Sequence, residues 1–398
     1  MVSRPKNGGT ESKMTSKLYD TYLYLAEFEA KVLAVTKKGD KYEILLDRTA
    51  FFPEEGGQSA DTGTLGSVRV FGGRIADGEI FHLTDAPLSV GEKVIGRLNF
   101  SERYDKMKQH TAEHILSGLF FSHFGYHNVG FHLGAEETTL DFDGVPTRED
   151  LDRIETLANE AVMKNLCVTA EYPSPDALAA MNYRSKLDLT ENVRIVTVEG
   201  VDVCACCAPH VARTGEIGCI KILDAEKYKG GIRLHMKAGL RALADYRMRY
   251  RTTAALSALL SEKQTDLVGA TEKLLTDTAA LSASYRELRL GLMRKEGEEL
   301  SPCDGNLVRI FPGAGYDELR AFANVAKEKI GGYTVALSPA AEGYSYLIAV
   351  RVGDLSGAVR QINAALGGKG GGRGNMVMGV FHANEEEIRR YFEENRKT

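Results

Sequence analysis

Two pairs of donor residues, far apart in the chain, constrain its fold more than any other feature: His110-Thr111-Ala112-Glu113-His114 and Cys206-Cys207-Ala208-Pro209-His210. The first pair lies in a run with Met107, Ile115, Leu116, Leu119 and Phe120 that reads as helix, so both imidazoles project from one face, one turn apart. In the second, a thiol and an imidazole have the same spacing just before an apolar, strand-like run. A lone His-x-x-x-His is commonly two packed or surface residues. The two pairs together offer N, N, S and N donors, a set that suits Zn²⁺. A single site made from both requires residues 110–114 and 206–210 to meet in space.

The surroundings of these pairs resemble a known family. Tyr104 to Ser117 (YDKMKQHTAEHILS), Gly130 to Asp143 (GFHLGAEETTLDFD) and Cys206 to Gly218 (CCAPHVARTGEIG) are similar to the editing domain of alanyl-tRNA synthetase and to the free-standing alanyl-tRNA editing proteins. Upstream, Thr49 to Gln58 (TAFFPEEGGQ) resembles the glycine-rich segment of the family's N-terminal barrel. Downstream, Gly367 to Gly374 (GGKGGGRG) resembles the glycine-rich loop of a C-terminal DHHA1 domain. No ATP-binding or amino-acid-activating module is recognisable, so the resemblance is to the long free-standing editors.

The expected fold class is α+β in four parts after a leader. Residues 1–17 are polar, with Gly8 and Gly9, and read as a disordered leader. In residues 18–99, short alternating runs such as Tyr42 to Leu46 and Val68 to Phe71, separated by glycines, predict a small β-barrel. Residues 100–246 mix helical and strand signals around both donor pairs, as in an α+β domain; the resemblance makes this the zinc editing domain. Residues 247–300 read as a long helical connector. There Leu260, Leu267, Leu274, Leu281 and Leu288 recur every seven residues, but the intervening seam positions Ser257, Gln264, Thr271, Thr278 and Tyr285 are poor. One helix, or a helix pair, packing its leucine stripe on its own domain and a homodimer through residues 256–292 both remain open. Residues 301–398 alternate helices (Glu318 to Lys329, Leu355 to Leu366) and strands (Tyr333 to Leu337, Tyr346 to Arg351) as a compact α/β, DHHA1-like module.

With 43% apolar and 26% charged residues, the chain is an ordinary globular sequence. Its six cysteines, three crowded at Cys204, Cys206 and Cys207, do not form a disulfide framework. No signal peptide or membrane-length apolar run is present, so a reducing cytoplasm is the expected home, without membrane contact. A net charge of −5 argues against a general nucleic-acid coat but leaves room for a local RNA track.

The resemblance implies hydrolysis of an aminoacyl ester, with tRNA for alanine mischarged with serine, or with glycine, as partner. It places one zinc per chain on His110, His114, Cys206 and His210 and assigns the attacking nucleophile to a zinc-bound water, with no side chain in a catalytic role. Four protein ligands describe a closed site, whereas a catalytic zinc keeps an open position. A loose ligand, an expanded coordination shell and a zinc that positions substrate all satisfy the sequence. Where the family has Cys-Gly-Gly-Thr-His this chain reads Cys-Cys-Ala-Pro-His, leaving Cys204 and Cys207 as rival thiols, although only Cys206 keeps the spacing. Thr49, Thr111 and Gln58 are the substrate-binding candidates; an alternative for the threonines is local backbone bonding, and for Gln58 the capping of a turn. Glu113 does not stand where a zinc protease has its glutamate and receives no role.

For tRNA contact, Arg241, Arg247, Arg249 and Arg251 interleave with Tyr246 and Tyr250, and the glycine-rich segment carries Lys369 and Arg373. Guanidinium suits phosphate and aromatic rings suit unpaired bases; a solvated helix face is the competing reading for the arginines. Two further functions stay open: deacylation of another mischarged tRNA, and non-catalytic tRNA binding around a structural zinc.

Overall fold

The computed structural model describes residues 14–185 and 192–395. The chain forms two compact units, residues 1–252 and 253–398.

The first unit begins with a barrel. Strands Glu27–Lys38, Lys41–Leu46, Glu79–Thr84, Val68–Ala76, Gly63–Leu65 and Lys93–Leu98 pair in that order and return to the first, so the sheet closes. The alternation seen in sequence is what turns Phe28, Ala30 and Val32 of the first strand and Val94 and Leu98 of the last inward, where they pack with Ile44, Leu46, Phe51 and Leu65. Residues 1–13 of the expected leader lie outside the described residues. Its last residues are not disordered: Ser16–Lys17 pairs in parallel with Arg48–Thr49, and the buried Thr15 donates to the Leu46 carbonyl.

After the barrel comes the helix Phe100–Phe124, capped at Gly125 with φ +70. It packs against the helix Arg148–Met163, a four-stranded sheet (Ile220–Tyr228, Gly231–Ala238, Thr138–Phe142, Asn128–Leu133) and a three-stranded sheet (Val168–Glu171, Ile195–Val198, Asp202–Ala205). Enclosed this way, it buries polar residues as well as apolar ones: Arg103, Lys106, Gln109, His110, Thr111, Glu113, His114 and Ser117. Buried polar groups persist where each finds a partner. Arg103 ion-pairs with Asp61, with Nε 3.0 and 2.8 Å from its two oxygens, and donates to the Ala50 carbonyl. Asp61 also accepts from the Phe52 amide at 2.7 Å, so this buried pair fixes the barrel's glycine-rich segment to the helix. Gln109 imitates a strand partner, exchanging two 2.9 Å bonds with the backbone of Ala238.

In the second unit the helix Leu267–Glu298 follows a break: Ser261 has φ +54, and Gln264–Asp266 is a single tight turn. The seven-residue leucine repeat therefore spans two helices, Gly239–Leu260 and Leu267–Glu298, the first beginning before the expected connector. Leu274, Leu281 and Leu288 are exposed, so the reading in which the stripe packs on its own domain fails there; burial is confined to Met293 and Gly297. Beyond it, strands Leu307–Ile310, Thr334–Pro339, Tyr344–Ala349, Met376–Phe381 and Lys369–Gly371 form one sheet in that order, parallel in the first pair and antiparallel thereafter. The expected glycine-rich loop is in part an edge strand. Gly370 needs to be glycine, because a Cβ there would lie 2.3 Å from the Met378 carbonyl oxygen.

His82, on the strand Glu79–Thr84, is fully buried between the Ile44 carbonyl, 3.0 Å from Nδ1, and the Thr49 hydroxyl, 2.8 Å from Nε2. Burial lowers its pKa from 6.5 to about 4, only partly offset by the Ile44 bond. Across that window the unfolded chain binds a proton that the folded chain refuses, so stability should fall as pH falls, by up to roughly 3 kcal/mol. His82→Gln is expected to flatten this acid dependence of the melting temperature; a slope equal to wild type would place the sensitivity elsewhere.

Candidate metal centre

His110 and His114 stand on the buried helix, while Cys206 and His210 follow the strand Asp202–Ala205. The fold brings all four together: one donor atom from each lies within 4.8 Å of every other. The Cys206 sulfur is 3.6 Å from His110 Nε2 and 3.4 Å from His210 Nε2. The imidazoles are buried and Cys206 partly so.

Each imidazole is held through its other nitrogen. His110 Nδ1 is 2.9 Å from Gln58 Oε1, His114 Nδ1 is 3.0 Å from Asp202 Oδ2, and His210 Nδ1 is 3.1 Å from Thr111 Oγ1. Gln58 Oε1 and the Asp202 carboxylate can only accept, so Nδ1 of His110 and of His114 carries the proton and Nε2 keeps its lone pair. Thr111 spends its own proton on the Met107 carbonyl at 2.8 Å and accepts from His210 in the same way. All three Nε2 atoms thus face inward, the arrangement of imidazoles around a metal ion.

The thiol agrees. Burial alone would raise the Cys206 pKa, but the His110 and His210 rings outweigh it and hold the thiol well below its ordinary value. The neighbours behave oppositely: burial pushes Cys204 up to about 11, and burial with the charges of Cys206 and Glu55 pushes Cys207 higher still. Cys204 instead belongs to a second grouping with His114 and Asp202. There Asp202 is already engaged by Arg184, whose Nε and Nη2 donate at 2.7 and 2.8 Å. Burial lowers His210 to about 3, but at His114 the Glu113 charge and the Asp202 bond outweigh burial and hold the ring well above its ordinary value, so a metal ion binding there would displace its proton.

His110, His114 and Cys206 lie in the wall of a cavity of about 630 Å³, lined also by Gly56, Gly57, Glu113, Phe131, Arg184 and Arg194. Gly57, at φ +82, lies so close to Phe131 that a Cβ would fall 2.7 Å from its ring. This close approach delivers Gln58 to His110, whose ring centroid is 4.6 Å from that of Phe131. Gln58 Nε2 and Arg194 Nη2 are buried donors without a protein acceptor.

Not every expected site residue arrives here. Gln58 does, as the orienter of His110, and Thr111 as that of His210. Thr49 does not: its hydroxyl is buried inside the barrel, bonded to His82 and accepting from the Phe51 amide at 3.1 Å. Arg241 is committed to Asp105 and the Gly134 carbonyl, and Arg249 to Asp245, whereas Arg247 and Arg251 in the first unit and Lys369 and Arg373 in the second are exposed. Residues that sequence reasoning missed are Asp202, Arg184, Asn128 and Ser117. Asp202 lies four residues before Cys206, but nothing in a strand spacing shows that its carboxylate meets His114.

A buried set of one thiol and three oriented imidazoles on an α+β domain could hold a metal ion. Residues 193–235 match the family model described as the threonyl and alanyl tRNA synthetase second additional domain. Over 393 residues the chain is 30% identical to the alanyl-tRNA editing protein AlaX-L of Pyrococcus horikoshii, covering 94% of this chain and 96% of that one. It is 28% identical over 327 residues to the alanyl-tRNA editing protein Aarsd1 of Danio rerio, covering 77% and 79% respectively. It is 29% identical to the alanine–tRNA ligase of Ignicoccus hospitalis over 94% of its own length but only 42% of the ligase. The chain belongs to the family of alanyl-tRNA editing proteins.

Cys206→Ser should lose bound metal after dialysis, whereas Cys207→Ser should retain it, because Cys206 and not Cys207 belongs to the group with the three imidazoles. Equal loss from both variants, read as metal content per chain, would mean that the ligand thiol is misassigned.

Proposed function

We propose that this protein hydrolyses the ester of tRNA for alanine that carries serine, and also glycine, using one zinc ion per chain on His110, His114, Cys206 and His210. The observation that carries the reading is the convergence of three Nε2 atoms and a low-pKa thiol beside a cavity large enough for an aminoacyl group, with His110, His114 and Cys206 in its wall. Family membership supports alanyl-tRNA as the substrate class. Zinc, when bound, supplies Lewis-acid polarisation at the ester.

The chain's own residues do the rest. Gln58, Asp202 and Thr111 keep the imidazoles in their ligand tautomers. Phe131 and the Gly56–Gly57 turn cover His110 and exclude bulk water. Lys17 lines the cavity together with Arg184 and Arg194, whose guanidinium groups are paired with Asp202 and Asp20. Arg247, Arg251, Lys369 and Arg373, all exposed, are assigned to the tRNA body, as is Arg249, which is tied to Asp245. All six cysteines are free, which fits residence in a reducing cytoplasm. Among the described residues no helix is long and apolar enough to cross a membrane.

The need for such an enzyme is physical. A synthetic pocket shaped for alanine discriminates only about a hundredfold against an analogue that adds a hydroxyl. A second, polar site that recognises the hydroxyl can remove the product. A set of four protein ligands also fits a structural zinc, and the same experiment separates the two readings.

Purified protein is expected to deacylate seryl-tRNA for alanine faster than correctly charged alanyl-tRNA. A hydrogen bond to the serine hydroxyl worth roughly 1–3 kcal/mol corresponds to about tenfold or more in rate. Activity should vanish on chelation and return with zinc. Binding of tRNA with every ester left intact would favour the structural zinc.

A further inference from the structure

We propose that Arg194 and Tyr172, joined through Asp20, seat the terminal nucleoside of the tRNA: Arg194 donates to the ribose hydroxyl next to the ester, and the Tyr172 ring carries the base. This rests on the deacylase reading above. Arg194 immediately precedes the strand Ile195–Val198 and is 5% exposed, yet it lines the cavity. Its Nη1 donates to the carbonyls of Cys206 at 3.1 Å and Ala208 at 2.8 Å, which fixes the guanidinium to the loop that carries Cys206 and His210. Its Nε stands 3.6 Å from Asp20 Oδ1. Nη2 is left over: it is buried and has no acceptor in the protein. The strands Val168–Glu171 and Ile195–Val198 pair antiparallel with Glu171 opposite Ile195, so Tyr172 and Arg194 are the next residues at the same end of the ladder. Tyr172 also lines the cavity, is 52% exposed, and donates its hydroxyl to Asp20 Oδ2 at 2.9 Å. Asp20 thus holds the arginine with one oxygen and the tyrosine with the other.

A donor shut away from water without an acceptor is costly, and one that meets its acceptor only when substrate arrives contributes to binding. Asp20 already balances the charge of Arg194, so the acceptor that fits Nη2 is a neutral oxygen and not a phosphate. The end of a charged tRNA brings one: the free ribose hydroxyl on the carbon beside the esterified one, a few bonds from the reacting carbonyl. Arg194 sits at the matching place, because its Nη1 is bonded to the carbonyl of Cys206, whose sulfur belongs to the donor group. A carbonyl presented to that group carries the hydroxyl toward Nη2 and the base outward, to the half-exposed ring of Tyr172. Aromatic faces hold unpaired bases by stacking, and the bond to Asp20 anchors this ring at its edge. The other polar side chains in the wall are engaged: Arg184 gives Nε and Nη2 to Asp202, and Glu113 accepts from Ser117 and Asn128. Recognition of the ribose also makes the cavity a poor host for simple serine esters, which bring neither hydroxyl nor base.

The test is calorimetric binding of two non-hydrolysable probes to the zinc-loaded full chain, with zinc content measured alongside: an adenosine whose ester is replaced by a serine amide, and the same compound without the neighbouring ribose hydroxyl. Wild type is expected to prefer the hydroxyl-bearing probe by about tenfold to a hundredfold, the scale of a hydrogen bond to a charged group. Arg194→Lys keeps a cation for Asp20 but has no second nitrogen. It should retain zinc and bring the two affinities together, the loss falling on the hydroxyl-bearing probe; a wild-type ratio there overturns the assignment. Asp20→Asn, which loosens the guanidinium, should lower the ratio part-way, and an unchanged ratio there overturns it even if Arg194→Lys does not fold. Tyr172→Leu should weaken both probes by about tenfold while keeping their ratio; affinities equal to wild type would remove the ring from the seat. Deacylation of seryl-tRNA for alanine is followed in parallel. Wild type that deacylates it yet binds both probes equally, or neither, sinks this inference and leaves the deacylase reading intact. Wild type that leaves the ester whole removes the deacylase reading itself.

Discussion

Three imidazoles and a thiol can share a small buried volume only if the Nδ1 proton of each ring is taken up elsewhere. The Nε2 lone pairs then converge, repel one another and invite a cation. Each acceptor comes from a different place: Gln58 from the barrel's glycine-rich segment, Asp202 from the edge of a three-stranded sheet, Thr111 from one turn of the histidine helix itself. The buried Arg103–Asp61 pair and the close approach of Gly57 to Phe131 set the first of these in register. Barrel, helix and sheet are therefore coupled through hydrogen bonds no longer than 3.1 Å at a single point.

This coupling explains why the histidine helix carries so much buried polarity. A helix that faced only an apolar core would need one hydrophobic stripe. Phe100–Phe124 is enclosed by other elements and must satisfy Arg103, Gln109, His110, Glu113 and His114 individually. Each does so with partners distant in sequence, which leaves little slack for substitution of any one of them.

The same fact decides what could be read from sequence. The donor pairs were legible because helical spacing fixes which residues share a face, and the barrel because alternation fixes which residues point inward. Asp202, Asn128 and Arg184 were not, since their roles depend on contacts between elements that no local period encodes. Thr49 misled for a related reason: a threonine next to a glycine-rich segment looks available, but His82 and the Phe51 amide already engage its hydroxyl. The leucine repeat left one helix and a helix pair open, and the turn at Ser261 makes it a pair; what failed is packing of the stripe on its own domain, since Leu274, Leu281 and Leu288 are exposed. The glycine-rich segment of the second unit looked like a loop because glycine is poor in strands; Lys369, Gly370 and Gly371 pair as an edge strand, and at Gly370 only glycine fits against Met378 and Gly379.

The account's central claim is a site of one sulfur and three imidazole nitrogens. X-ray absorption at the zinc edge of the metal-loaded protein reads this directly. A single sulfur at about 2.3 Å with nitrogen scatterers at about 2.0–2.1 Å is the expected shell. Two or more sulfurs would bring Cys204 or Cys207 into the site and contradict the inward-facing geometry of Cys206, and a shell without sulfur would mean that the cluster is not where the metal binds.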